Sequence, residues 1–325
     1  MSGRQREGEL VTSRRGFFWV GGERVPVHEG TSLRGQMFVQ WEAPQELTQP
    51  YPVVLIHGGG GQGTDWLGTP DGRPGWATFL VQQGYAVYVV DRPGHGRSPY
   101  DPEVLCPPGG VFTLEMISAL FCGTAQWPGS GDPDDPYVRA FAAGTGPMLA
   151  DCALAHALEQ ACGAALLDEI GPAILITSSA GGPMGWLTAD ARPAQVKAIV
   201  SAEPIGPAFL DNPAVGLSLP WGLTAAPMTF DPPADSPDDL QRDPARRLPA
   251  LAEIPIALVE AEASSLAQPS PAIAAYLEQA GCHVDRIVLA DHGVHGNGHL
   301  MMMELNNREV LEPILRWLDD NVRRP

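Results

Sequence analysis

The sequence predicts an α/β fold in which a mostly parallel central sheet carries helices on both faces. Short apolar runs rich in β-branched residues recur along the chain, and segments with helical periodicity separate them. Buried parallel strands read as continuous apolar runs because both of their faces are covered, and their alternation with helices is typical of such sheets. The predicted strands are 53–57, 86–91, 173–177, 196–203, 254–262 and 284–291. The predicted helices cover 74–84 and about 146–169 and follow Gly181, Pro269 and Leu300, the last ending near Arg323.

We expect one domain, residues 1–325, with an N-terminal antiparallel edge and two cap insertions. The runs FFWVGG and QMFVQWEAP supply the edge strands. The insertions, at about 98–145 and 204–250, are rich in Pro and Gly yet carry large apolar side chains that pure linkers do not need. We expect them to roof a pocket above the strand ends, where open parallel sheets bind ligands; the alternative is surface excursions that only cover the core. The predicted pocket residues are Phe112, Trp127, Trp221 and Phe230.

Composition narrows the partners and the chemistry. The net charge of -18 argues against nucleic acid and anionic membranes, because an acidic protein is repelled by both. No apolar stretch approaches the roughly 20 residues of a membrane helix, and the charged N-terminus lacks the apolar core of a secretory signal, so a complete chain is expected in the cytoplasm. Five cysteines without a CxxC pair predict neither a disulfide framework nor a zinc site. The single lysine, Lys197, leaves no phosphate-binding GK[ST] loop and no SxxK dyad.

The stretch ILITSSAGGPMGW, residues 174–186, places two serines between a predicted strand and a predicted helix. Thr177 to Gly181 fit the pattern small-x-Ser-x-Gly of a nucleophile elbow, in which the strained central residue needs small residues two positions before and after it. This requirement favours Ser179, because centring the turn on Ser178 would put Ile176 at one of those positions. The alternative is a polar turn that happens to be rich in small residues.

A serine nucleophile needs a base, and we expect it in the loop after the last strand, DHGVHGNGHLMMMELNN. His299 is favoured because Gly296 to Gly298 form a loop that can carry it back over the sheet; His292 and His295 are the rivals, and a packing role for His299 is the alternative. The three histidines with Asp291 and Glu304 match no established metal-ligand spacing.

Oxyanion donors are expected in the loop after the first parallel strand, LIHGGGGQGTDW. Four consecutive glycines indicate backbone conformations or close approaches that other residues cannot adopt. Their N–H groups, together with that of Ala180, can bind a carbonyl oxygen; a phosphate-binding loop is disfavoured without a lysine or GxGxxG spacing. The acid that orients the histidine stays open on these grounds between Glu203, Glu260 and Glu262, with Glu262 preferred because it follows the penultimate strand.

The chain resembles the α/β-hydrolase superfamily, and within it a branch of bacterial esterases, over roughly residues 15 to 322. Three stretches carry the resemblance: HGGGGQGTDWLGTPDGRPGW at 57–76, GYAVYVVDRPGHGRS at 84–98, and GNGHLMMMELNN at 296–307. The resemblance implies a glutamate acid after the strand that follows the elbow, and this moves the preference from Glu262 to Glu203, 24 residues past Ser179. It also implies oxyanion donors near Gly59 and Gly60.

These features predict a serine hydrolase that cleaves a small carboxylic ester or a lactone through an acyl-enzyme, without a metal or organic cofactor. The same triad serves amide cleavage, carbon–carbon bond hydrolysis and acyl transfer, so these reactions stay open. A protein of another class, a non-catalytic binding protein on a hydrolase scaffold, is the further alternative. The sequence carries no signal of oligomeric state and leaves a homodimer open.

Overall fold

The computed structural model describes residues 12–212, 216–242 and 245–322. Its strands, in chain order, are β1 Ser13–Val20, β2 Glu23–Val27, β3 Gly30–Arg34, β4 Met37–Pro44, β5 Val53–Ile56, β6 Val87–Asp91, β7 Ala173–Ser178, β8 Val196–Ala202, β9 Asp211–Asn212, β10 Leu217–Ser218, β11 Ile256–Glu260 and β12 Val284–Val288. Its helices are α1 Thr64–Leu67, α2 Trp76–Gln82, α3 Leu114–Ile117, α4 Pro136–Ala142, α5 Cys152–Ile170, α6 Gly182–Ala191, α7 Ser270–Gln279 and α8 Asn307–Asn321.

The predicted fold class is confirmed. Eight strands form one sheet in the order β1-β4-β6-β5-β7-β8-β11-β12. The six strands from β6 to β12 pair in parallel, and β4 and β1 extend the sheet in antiparallel fashion at one edge. The chain leaves β5 towards β6 on one side and returns to β7 on the other. The carboxyl ends of β5 and β7 therefore flank the point where open α/β sheets bind their ligands.

The buried side chains of the parallel strands alternate between the two faces of the sheet. In β5, Val53 and Leu55 pack with residues of α2 and α8, whereas Val54 and Ile56 pack with residues of α5, α6 and α7. This period of two is the geometric consequence of an extended backbone. Both faces are covered, which is why these strands read as continuous apolar runs.

Three elements differ from their prediction. The helix expected over about 146–169 is α5, which begins at Cys152 because the Asp151 carboxylate accepts a hydrogen bond from Leu154 N and caps it there. The residues after Leu300 form turns, so α8 begins at Asn307. The expected loop between the two N-terminal strands contains the β2–β3 hairpin. The predicted helix end near Arg323 lies outside the described residues.

The two segments expected to form a cap pack against different parts of the protein. Segment 98–145 contains α3, α4 and a π-helical turn at Ser118–Cys122, and places Phe121 and Phe141 beside the carboxyl ends of the strands. The described apolar residues of segment 204–250 instead pack on the face of the sheet that α6 covers. There the Trp221 ring stacks on the Phe230 ring, with 6.4 Å between ring centroids. Phe230 is buried in this part of the core and Trp221 packs against it, and neither is among the residues that line the cavity at the strand ends.

Candidate active site

A narrow cavity of about 30 Å³ lies at the carboxyl ends of β5 and β7. The loop after each of these strands contributes to its wall, as the switch point of an open sheet predicts. Ser179 and His299 both line this cavity. The remaining lining residues are His57, Gly58, Gly59, Asp65, Trp66, Phe121, Phe141, Ser178, Leu300, Met302 and Met303.

Ser179 occupies the tight turn between β7 and α6 and has the strained conformation expected for it. Its φ is 52°, a value that non-glycine residues rarely adopt. Gly181 must lack a side chain, because a Cβ there would collide with the carbonyl oxygen of His57. At the other small position, Thr177 Oγ1 and Ser201 Oγ are hydrogen-bonded at 2.6 Å, tying the end of β7 to β8. The surrounding contacts thus hold Ser179 in its strained turn.

His299 and Glu203 form a buried pair beside this turn. His299 Nδ1 lies 2.6 Å from Glu203 Oε2, and the two residues are 4% and 1% exposed. Glu203 Oε1 also accepts a hydrogen bond from Ala261 N at 2.9 Å, and Oε2 accepts one from Ser264 Oγ at 2.6 Å. Three donors therefore fix the carboxylate. His299 Nε2 has no hydrogen-bond partner in the described part of the chain, so this nitrogen is free for a proton transfer in the cavity.

The alternative acid, Glu262, lies with a different histidine. His295 Nδ1 is 2.8 Å from Glu262 Oε2, and both side chains are exposed. The hydrogen bonds from His295 and from the Gly296 amide lower the pKa of Glu262. The rival base His292 is likewise exposed, at the end of a 3-10 turn. The structure thus brings Glu203, not Glu262, to His299, because the end of β8 is nearer to the elbow than the loop after β11.

The glycine-rich loop after β5 is held in place through the Gly58 carbonyl. The Gly58 carbonyl accepts hydrogen bonds from Arg92 Nη2 and from His57 Nδ1, both at 2.8 Å. In a trans peptide the N–H points opposite to the preceding carbonyl, so these bonds turn Gly59 N–H away from Arg92. Gly59 itself lines the cavity, and its Cα faces Ala180 closely enough that an added Cβ would lie 3.3 Å from Ala180 Cβ. The loop after β5 and the elbow thus meet at these two residues.

Arg92 connects the two loops and was not predicted as a site residue. Its guanidinium donates to the Gly58 carbonyl and, at 3.2 Å, to the carbonyl of Ala180, while it forms a buried ion pair with Glu159 at 2.7 Å. Gly60 lies one residue farther along the loop with φ 67°, its Cα against the Phe112 ring. Gly60 does not line the cavity, whereas Gly58, which was not predicted, does. The run of four glycines indicates a close approach of the backbone, but it does not indicate which of the four line the cavity.

The apolar wall of the cavity comes from residues that the sequence analysis did not select. Phe121 stacks on the His299 ring with 5.5 Å between ring centroids, and Phe141 lines the cavity near it. The predicted residue Trp127 is buried in the core, where its Nε1 donates to Asp135 Oδ2 at 3.2 Å, and Phe112 packs beside Gly60. Neither Trp127 nor Phe112 is among the residues that line the cavity. The sequence indicates the segment that covers the cavity, but not that Phe121 and Phe141 are the residues of this segment that face His299 and the cavity.

Glu304 holds the loop that carries His299. Its buried carboxylate accepts hydrogen bonds from Gly298 N at 2.9 Å and from Asn297 Nδ2 at 2.7 Å. Thr124 Oγ1 of the cap segment donates to it as well, at 2.5 Å. Burial raises the pKa of Glu304. This carboxylate, considered in the sequence only as a metal ligand, instead joins the histidine loop to the cap.

Two absences concern the described ranges 12–212, 216–242 and 245–322 only. They contain no group of three or more His, Cys, Asp or Glu side chains able to hold a metal ion. No helix within them is both long and apolar enough to cross a membrane.

The fold and the site define the class of protein. Residues 51–237 match the model of the α/β hydrolase fold family, and the chain belongs to this family.

Two relatives cover nearly the whole chain. A protein named probable secreted lipase phiG, from Fungal sp. (strain ATCC 74256), is 39% identical over 98% of this chain and 92% of its own. A bacterial esterase solved at atomic resolution is 23% identical over 98% of this chain and 99% of its own, with a TM-score of 0.69. The second likeness shows the shared fold.

Proposed function

We propose that this protein hydrolyses small carboxylic esters, lactones included, through a Ser179–His299–Glu203 triad and an acyl-enzyme. The observation that carries the proposal is the buried His299: Glu203 holds its Nδ1, its Nε2 has no partner among the described residues, and it shares a cavity with the strained Ser179. A serine, a histidine and a carboxylate in these relations are the parts of a general-base-activated nucleophile.

Each residue has a defined role in the proposed reaction. His299 Nε2 takes the proton of Ser179 Oγ as the oxygen attacks the ester carbonyl, and then gives it to the leaving alcohol. Glu203 keeps the proton on Nδ1 and stabilises the imidazolium that forms. The amides of Gly59 and Ala180 bind the developing oxyanion, and the N-terminus of α6 adds a favourable dipole. Water, activated by His299, then releases the acyl group.

The name of the fungal relative supports ester chemistry, since it describes that protein as a probable lipase. The same name describes it as secreted, and the cytoplasmic location expected from the N-terminal sequence stays a prediction for this chain. A homodimer likewise stays a prediction.

The narrow cavity predicts a preference for short acyl groups. We expect kcat/KM for p-nitrophenyl acetate to exceed that for p-nitrophenyl octanoate by about tenfold or more, because a long chain must displace the aromatic wall. Phe141→Ala should narrow this difference by enlarging the cavity. Phe79→Ala, in a helix that does not line the cavity, is the matched control and should leave the ratio unchanged. A wild-type preference for octanoate would contradict the prediction, and hydrolysis of neither ester would contradict the proposed function.

A further inference from the structure

One wall of the cavity carries polar groups that the proposed triad does not use. Asp65 and Trp66 are neighbours in α1, and both line the cavity. Most of the other walls are apolar or glycine, with side chains from Phe121, Phe141 and Met302. A carboxylate in such surroundings is costly unless it is hydrogen-bonded, so its presence requires an explanation.

The Asp65 carboxyl keeps unused hydrogen-bonding capacity. The main-chain N–H of Gln62 favours its charged form by hydrogen bonding, as a helix-capping carboxylate does. A carboxylate has about four lone-pair sites, and the cap uses only part of them. Burial, with a further contribution from the Asp91 charge, raises the pKa of Asp65 to about 7. The Arg92 charge favours the charged form in turn. Asp65 is only partly buried as a residue and lines the cavity, so its carboxylate is within reach of a substrate group there.

Trp66 adds an unused donor next to it. Its side chain is fully buried, and its Nε1 has no hydrogen-bond partner within the described residues. The adjacent Trp76, 5.6 Å away between ring centroids, provides the contrast, because its Nε1 donates to the Asn307 carbonyl at 2.8 Å. Buried polar atoms without partners are uncommon, and each one calls for a reason.

The two other ionisable side chains of the cavity are already engaged. His57 Nδ1 donates to the Gly58 carbonyl and Nε2 accepts from Arg92 N at 2.9 Å, while burial lowers the pKa of His57 well below its usual value. His299 is held by Glu203. This leaves Asp65 as the ionisable cavity residue, within the described residues, that has neither a fixed side-chain partner nor a role in the proposed chemistry.

We propose that Asp65 and Trp66 form a subsite for a hydroxyl group of the substrate, so that the protein prefers short esters of hydroxy acids. The hydroxyl donates its hydrogen to the Asp65 carboxylate and accepts the Trp66 Nε1–H, which suits a group that is both donor and acceptor. This inference rests on the proposed esterase function and names its substrate class. A substrate carrying a carboxylate is disfavoured, because two like charges would share a poorly solvated cavity.

The test compares hydroxy esters with their deoxy counterparts: ethyl lactate with ethyl propionate, and ethyl 3-hydroxybutyrate with ethyl butyrate. For the wild type, kcat/KM should favour the hydroxy ester by about tenfold or more in at least one pair, as expected when a site built for a hydroxyl meets a substrate without one. Asp65→Asn and Trp66→Phe should each reduce that ratio severalfold. Asp65→Asn should also raise the kcat/KM of monoethyl succinate relative to ethyl propionate.

Asp319→Asn is the matched control, since it changes the charge equally at an exposed position of α8 and should keep every ratio at its wild-type value. A hydroxy-to-deoxy ratio near one in the wild type, or one unchanged by both Asp65→Asn and Trp66→Phe, overturns the subsite while leaving the esterase proposal intact. Failure of the wild type to hydrolyse any of these esters or p-nitrophenyl acetate counts against the proposed function itself. Because Trp66→Phe keeps an aromatic ring at this position and removes only the indole N–H and part of the ring system, it tests the subsite even where Asp65→Asn unfolds the protein.

Discussion

Replacing Ser179 with alanine is expected to lower kcat for p-nitrophenyl acetate by about 10⁴ to 10⁶. The side chain supplies the only atom that the proposed mechanism makes covalent with the acyl group, so no neighbouring group can substitute for it. Steady-state hydrolysis, followed at 405 nm at enzyme concentrations high enough to detect the residual rate, measures the loss.

The adjacent serine is the natural control for this substitution. Ser178 is buried at the end of β7 and also lines the cavity, yet its φ of -129° is that of an ordinary extended residue. We expect Ser178→Ala to keep more than about a tenth of the activity, since it removes a neighbour and not the nucleophile. Retention of most activity by Ser179→Ala, or an equal loss in both variants, would contradict the assignment.

Glu203→Gln is expected to lower kcat by about 10⁴, the size of effect seen when a triad carboxylate becomes an amide. The glutamine has nearly the same shape, but its amide no longer selects the histidine tautomer with the proton on Nδ1, nor does it stabilise the imidazolium. In the wild type, the Glu203 carboxylate is also held by hydrogen bonds from Ala261 N and Ser264 Oγ. The kcat for p-nitrophenyl acetate, with circular dichroism to verify folding, measures the effect.

Glu262→Gln provides the comparison that the structure makes possible. Glu262 holds an exposed histidine in the same Nδ1 geometry, at 2.8 Å, so the same substitution breaks an equivalent contact outside the cavity. We expect its activity to stay within about twofold of the wild type, because exposed pairs contribute little. A large loss in Glu262→Gln with a small one in Glu203→Gln would restore the acid first favoured from the sequence.

The sheet could be predicted because its strands are buried on both faces. Val53 to Ile56 form a continuous apolar run whose length and β-branched content are typical of a covered strand. The elbow could be predicted because the strained φ at Ser179 requires small residues on both sides of it. A local steric requirement of this kind can be recognised from a few consecutive residues of the sequence.

The choice between the two glutamates could not be made from strand ends alone. Glu203 and Glu262 follow neighbouring strands, β8 and β11, and each meets a histidine of the same loop. Which glutamate meets which histidine depends on how the loop folds, and that is fixed by Glu304 and Thr124 across the chain. The resemblance to known esterases, and not the spacing, favoured Glu203.

The residues that line the cavity could not be chosen from the sequence, because the presence of an aromatic residue in a loop does not indicate which way its side chain points. Trp221 and Phe230 pack with the core beneath α6, whereas Phe121 of the other segment stacks on His299. Arg92 was missed for a similar reason: its role consists of bonds to the carbonyls of Gly58 and Ala180, which no sequence pattern displays.

The most direct test of the central claim, that Ser179 is an activated nucleophile, is to treat the wild-type protein with a fluorophosphonate and locate the modified residue by mass spectrometry. The account predicts a single stoichiometric adduct on Ser179, formed much more slowly in His299→Ala because the base is then missing. An intact protein with no adduct, or an adduct on another residue with Ser179 unmodified, would contradict the account and favour a non-catalytic binding protein or a different site.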